Sequence, residues 1–318
     1  MNRNHNPATG TGIALAVLAT VVWSGNFIVA RGVAGEIPPV TLAFFRWLTA
    51  SVLLLPLGWK QLRQDVPVLR QKSGYLFWVA LTGIALFNTF VYVAGRYSPA
   101  INLALIGTTS SPVFSLILAA LFLGERISAL RLTGLALCFA GILFLLSGGS
   151  LERLQQFRFS AGDGWVILGA LFFAVYNILV RRKPATIRPL GFLTMIFLMG
   201  TVLLLPAWLA EQQFTPAVAW NAKLAGVILY LGLGTSVIAF LCWNGAIARL
   251  GAARTALFGN LIPVFSSLEA VWLLDEQITW IHAVSGALVL TGLLVANLGG
   301  QAGQKKPASE GGRVSDYR

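Results

Sequence analysis

Charged side chains are scarce in this chain, 11% of 318 residues, where soluble domains carry roughly 25%. That scarcity excludes a sizeable soluble domain. The two histidines, His5 in the N-terminal tail and His282 near the end of an apolar run, cannot assemble a His-based dyad or a metal cluster. Each of the two cysteines, Cys138 and Cys242, lies within an apolar run, which argues against a disulfide framework and against a metal site. No phosphate-cradling Gly-Lys-Ser/Thr loop is present, so this chain alone does not hydrolyse ATP. "GLGTS" at Gly232–Ser236 has Gly234 where a nucleophile elbow needs Ser. Asp163 has no second intramembrane Asp to work with. An enzyme is therefore not expected, nor are a metal or cofactors.

What is abundant is apolar length. Hydrophobic residues make up 57% of the chain, and the mean hydropathy is +0.77. Stretches of about 20 apolar residues, enough to cross a hydrocarbon core as helix, recur ten times: 12–34, 39–59, 75–95, 101–123, 130–146, 164–180, 189–210, 222–248, 252–274 and 280–298. The expected fold is all-α and integral to a membrane. A net charge of +12 does not indicate nucleic acid, because 17 of the 23 basic residues fall on alternate, inner segments and 5 on the outer ones. The positive-inside rule then places both termini in the cytoplasm. The first apolar stretch is long enough to span and is read as a helix, not a signal peptide. Residues 1–11 and 301–318 are expected to be cytoplasmic tails, the latter polar, Gly-rich and disordered.

The chain repeats itself. "PVFSLILAALFLGER" from Pro112 and "PVFSSLEAVWLLDEQ" from Pro263 share their first four residues and a Glu at the fourteenth place, Glu125 and Glu276, 151 positions apart. At the same offset Asn26 falls on Asn177, Arg31 on Arg182, Tyr92 on Trp243 and Gly141 on Gly292, while "VLLLP" recurs with a shift of 150. Two halves, 12–150 and 151–300, hold five helices each. Because five is odd, the second half enters the membrane from the opposite face, giving an inverted-topology repeat around a central cavity.

Arg46 in "FFRW" and the P-x-F-x-x-x-x-A-x-x-x-x-x-E pattern of helix four, within paired halves that each open on an aromatic-x-x-Asn-like stretch, resemble the EamA repeats of the drug/metabolite transporter superfamily. Within it the chain is most similar to YddG-type exporters of aromatic and other neutral amino acids. The resemblance implies a basket-like ten-helix monomer of a bacterial inner membrane, with helices five and ten peripheral, and efflux in preference to uptake.

Polar groups are costly inside a bilayer and mark function by default. The expected cavity set is Trp23, Asn26, Arg46, Asn88, Tyr92, Tyr176, Asn177, Trp243, Asn244 and Glu269. Asn88 and Tyr92, four apart, share a helix face and suit an aromatic or neutral solute. Trp78, Trp165, Trp220 and Trp280 sit near span ends, where an interfacial belt is expected. Ser111, Pro112 and Ser115 in helix four, with Pro263 and Ser266 in helix nine, form small-residue stripes whose prolines permit a bend. Arg46 and Glu269 are the ionisable residues well inside the spans, about 10 Å and 8 Å from the outer ends. They either pair or meet the two charges of a zwitterion, and Glu269 is alternatively a proton-coupling group. Snorkelling to the outer interface is the structural alternative. The expected function is export of amino acids or similar metabolites by alternating access. Alternatives are a multidrug or lipophilic-cation carrier, a sugar-phosphate or nucleotide-sugar carrier, and a non-transporting receptor or scaffold.

Overall fold

The computed structural model describes residues 7–123, 128–150, 152, 160–250, 255 and 258–303. Glu125, the first residues of the expected ninth span and the tail from 304 lie outside the described residues. The described chain forms ten helices: α1 (Pro7–Gly32), α2 (Pro39–Gln71), α3 (Ser73–Ala94), α4 (Ala100–Leu123), α5 (Ala129–Leu146), α6 (Ala161–Arg181), α7 (Pro189–Phe214), α8 (Ala222–Leu250), α9 (Ile262–Leu274) and α10 (Trp280–Gly303). Seven are long and apolar enough to cross a membrane, and α5, α9 and the Trp280–Ala296 part of α10 are shorter apolar helical stretches. The protein is a multi-pass membrane protein.

Helix starts follow local chemistry. Pro39 and Pro189 occupy the first turns of α2 and α7, where a missing N–H costs nothing. Ser128 and Asn221 cap α5 and α8, and Ser160 forms a capping box with Asp163 at α6. Helix α2 runs three turns beyond the expected span end at 59. Its polar-looking extension buries Leu62, Asp65 and Leu69, spaced three and four apart on one face, so amphipathic packing extends the helix where hydropathy falls. Helices α3 and α8 each contain a widened, π-helical stretch, Leu81–Leu86 and Tyr230–Ile238, at corresponding places in the two halves.

The packing carries the inverted repeat. Helix α1 packs on α8 and α9, as α6 packs on α3 and α4, while α2 packs on α7 and α5 on α10. Counterparts meet on the pseudo-two-fold: Ser51 Oγ lies 3.1 Å from Thr201 Oγ1, and Cys138 Sγ is 3.7 Å from the Val289 carbonyl. At the α5–α10 crossing Gly134 abuts the backbone of Gly292 and Ala296, and Gly141 that of Ser285. The ends of α2 and α7 cap one another. Glu211, late in α7, accepts from the amides of Val40 (3.1 Å) and Thr41 (2.6 Å). Gln61, late in α2, accepts from Leu190 (3.2 Å) and Gly191 (3.4 Å), and Asp65 from the Arg188 amide (2.8 Å). Glu276 similarly receives the Ala100 and Ile101 amides at the start of α4.

The symmetry is broken in α4 and α9. Pro112 lies inside the unbroken α4. The chain turns at Asn260–Leu261 before α9, with Pro263 in the new helix's first turn. Trp78, Trp165, Trp220 and Trp280 are exposed, as an interfacial belt requires.

Candidate functional site

The polar centre is built on Arg46 of α2, which is only 5% exposed. Its Nη1 lies 2.6 Å from Asn26 Oδ1, 2.7 Å from Asn88 Oδ1 and 2.6 Å from the Tyr92 hydroxyl, and its Nε donates to Ser236 Oγ at 3.2 Å. The Tyr92 hydroxyl donates in turn to Asn26 Oδ1 at 3.0 Å. The guanidinium carbon stands 4.8 Å from the centre of the Trp47 ring. Every one of these partners is neutral. Hydrogen bonds to a charged group contribute about 1.5–3 kcal/mol each, enough to offset the several kcal/mol of desolvation of one ion. The cation is thus held without a counter-ion, and no partner for Nη2 is found among the described residues.

Four consecutive residues of α1, Trp23-Ser24-Gly25-Asn26, join this centre to the second half. Trp23 Nε1 donates to the Thr235 carbonyl at 2.9 Å. Its ring lies 5.1 Å from that of Trp243 and 6.5 Å from that of Phe240. Ser24 Oγ is 2.7 Å from Glu269 Oε1, and its carbonyl accepts from Ser266 at 3.0 Å. Gly25 is open because Tyr230 fills its place: a Cβ there would stand 2.1 Å from the tyrosine hydroxyl. That hydroxyl donates to the Val22 carbonyl at 2.7 Å. Asn26 completes the turn at Arg46.

Arg46 and Glu269 do not pair with each other. Glu269 has Ser24 as its partner, and its Oε2 is buried without one among the described residues. Asn26, Arg46, Asn88 and Tyr92 converge in one network, with the rings of Trp23 and Trp243 in tilted contact beside it. Tyr176 packs over Gly83 of the first π-helical stretch and stacks on Phe173. Asn177 reaches Ser115 at 3.5 Å. Asn244 is exposed and Ser111 is buried.

Ser236 and Tyr230 were not in the expected set. Both belong to the π-helical stretch of α8, where Ser236 also donates to the carbonyl of Leu231, five residues back. The wide turn aims the hydroxyl at Arg46, and nothing in the "GLGTS" string announces it. Where α1 and α9 end, a recess of about 860 Å³ is lined by Arg31, Arg96, Leu274 and Glu276 among others.

Comparison with known proteins agrees with this architecture. The profile of the EamA-like transporter family matches twice, over residues 10–147 and 160–298. An "Uncharacterized transporter" of Archaeoglobus fulgidus is 30% identical, covering 88% of this chain and 94% of its own. A "Probable terminal-alkyne amino-acid exporter" of Streptantibioticus cattleyicolor is 31% identical, covering 93% and 96%. A "Probable amino-acid metabolite efflux pump" of Escherichia coli is 24% identical, covering 88% and 93%. One crystal structure, 22% identical, superposes with a TM-score of 0.63 over 94% of this chain and 99% of that one, which bears on fold alone. With its two matched halves, its ten helices and these relatives, the chain belongs to the EamA-like transporter family.

Proposed function

We propose that the protein exports amino acids, aromatic or neutral, or similar small zwitterionic metabolites, acting as a carrier and not as an enzyme. The observation that carries the reading is the buried, uncompensated Arg46. A carboxylate is the natural counter-ion for a guanidinium fixed by neutral oxygens with one nitrogen unpartnered, and Glu269 of α9, held against Ser24 of α1, is available for the ammonium. Trp23, Trp243 and Phe240 supply an aromatic wall. Relatives named as amino-acid exporters support the same substrate class. Phosphate-bearing substrates would need more intramembrane cations than Arg46 alone. A lipophilic cation would suit Glu269 and the Trp pair but not the neighbouring guanidinium.

The unequal α4 and α9 support alternating access as its mechanism. One repeat keeps its fourth helix unbroken through Pro112 and the other turns before Pro263. Exchanging those two shapes between the repeats yields the opposite opening. The basic-residue pattern supports cytoplasmic termini, bacterial relatives support an inner membrane, and an internal pseudo-two-fold supports a functional monomer. Flux into proteoliposomes tests the reading with labelled phenylalanine, leucine and threonine beside a lipophilic cation and a sugar phosphate. Saturable amino-acid flux, lost in Arg46→Gln, supports it. Flux of the cation alone favours the multidrug alternative, and no flux of any solute favours a scaffold.

A further inference from the structure

The hydroxyl of Ser24 carries one hydrogen but makes two short contacts, 2.6 Å to the Val21 carbonyl and 2.7 Å to Glu269 Oε1. A carbonyl oxygen can only accept, and an ionised carboxylate can only accept. With Glu269 ionised, one of these contacts would set two acceptors against each other at bonding distance. Both are satisfied when Ser24 donates to Val21 and Glu269 donates its own proton to Ser24 Oγ. The surroundings agree: no cation pairs with Glu269 among the described residues, and Oε2 is buried with no donor to meet a negative charge. The helices packed most extensively on α9 are α1 and α4, and His282 of α10 lines the recess beside Ser267 and Leu268. Helix α4 contains no titratable side chain, and Arg31 lies at the far end of α1. Across the centre, Tyr230 lies within electrostatic reach of Glu269, and Arg46 and Tyr92 lie within reach of Tyr230.

We infer that Glu269 is a proton-carrying site and that substrate and proton exchange on it one for one, so that export is proton antiport. The inference rests on the amino-acid reading above. In the substrate-free state the carboxyl group holds its proton against Ser24. When a zwitterion enters, Glu269 releases that proton to water at the same mouth. The carboxylate then accepts hydrogen bonds from the substrate ammonium while Arg46 takes the substrate carboxylate. After the conformational change the zwitterion leaves, and Glu269 takes a proton from the other side. No covalent bond other than the carboxyl O–H is made or broken. Each cycle moves one neutral solute out and one proton in. The counterpart position in the first half is Leu118, so the duplicated fold has one such site.

The test uses the full-length protein in proteoliposomes, with phenylalanine, leucine and threonine as probes. With the membrane potential clamped at zero, vesicles one pH unit more acidic inside are expected to accumulate the transported probe about tenfold, since one unit is worth a factor of ten. A trapped pH indicator should register proton exit on probe addition, and a protonophore should abolish both. Glu269→Gln, which keeps the shape of the protonated side chain, should lose gradient-driven accumulation. Saturable flux indifferent to the gradient, with no proton movement, overturns the inference and leaves the export reading standing. Wild-type accumulation by Glu269→Gln removes Glu269 as the carrier. Absence of amino-acid flux altogether overturns both.

Discussion

Ser51 and Thr201, counterparts 150 positions apart, touch each other across the seam between α2 and α7, hydroxyl to hydroxyl at 3.1 Å. Their roles are unequal. Thr201 also donates to the Phe197 carbonyl at 2.9 Å, so Ser51 is the donor between them. Thr201→Val removes that acceptor and is expected to cost about 0.6–1.7 kcal/mol, the span found for buried hydrogen bonds in membrane proteins. Ser51→Ala leaves Thr201 its carbonyl and should cost less. Thermal unfolding in detergent compares the two, and a larger loss for Ser51→Ala would reverse the donor assignment.

The end caps make a second contrast. Glu211 holds two backbone amides and the Thr41 hydroxyl, while its counterpart Gln61 does the mirrored task as a neutral amide. Glu211→Ala should lower stability by about 1–2 kcal/mol, as for other lost caps. Glu211→Gln should retain most of it, because the first repeat already caps with Gln. Equal losses in the two variants, read as shifts in unfolding temperature, would show that charge and not geometry sets the cap.

Glycine substitutions separate packing from propensity. A Cβ on Gly134 would stand 2.5 Å from the Ala296 amide nitrogen and the Gly292 carbonyl oxygen, backbone that cannot turn aside. Gly134→Ala therefore forces α5 and α10 apart and should reduce both unfolding temperature and folded yield. Gly226, in the first turns of α8, meets nothing within 4 Å. Gly226→Ala should be neutral or stabilise by up to about 1 kcal/mol.

At the polar centre, Arg46→Lys keeps the charge but not the fork that reaches Asn26, Asn88, Tyr92 and Ser236 together. Transport efficiency, kcat/KM for the best amino acid, should fall at least about tenfold, or 1.4 kcal/mol, and further in Arg46→Gln. If the substrate carboxylate is the ligand, the loss falls on KM as well as kcat. An unchanged KM in both variants would confine Arg46 to holding the helices.

Much of this arrangement is legible in the sequence because the bilayer restricts what can span it. Helix number and inversion follow from apolar length and the 151-residue offset, and the rarity of intramembrane polar groups singles out Asn26, Arg46, Asn88 and Tyr92, which the fold brings into one network. Three things were hidden. The extension of α2 reads as a polar loop until Leu62, Asp65 and Leu69 are seen on one face against α7. Ser236 and Tyr230 depend on a locally widened helix, which leaves no compositional trace. The separation of Arg46 from Glu269 depends on side-chain direction: similar depths in the membrane allowed a pair, and the α1 turn between them prevents it.

That turn of α1 has a mechanical consequence. Trp23, Ser24, Gly25 and Asn26 are each committed to a different neighbour: Thr235, Glu269, Tyr230 and Arg46. A single-residue roll or slide of α1 would break all four engagements together, with no intermediate position that keeps half of them. Helix α1 is therefore tied at one turn to four partners at once, and its position is set by all four together or by none.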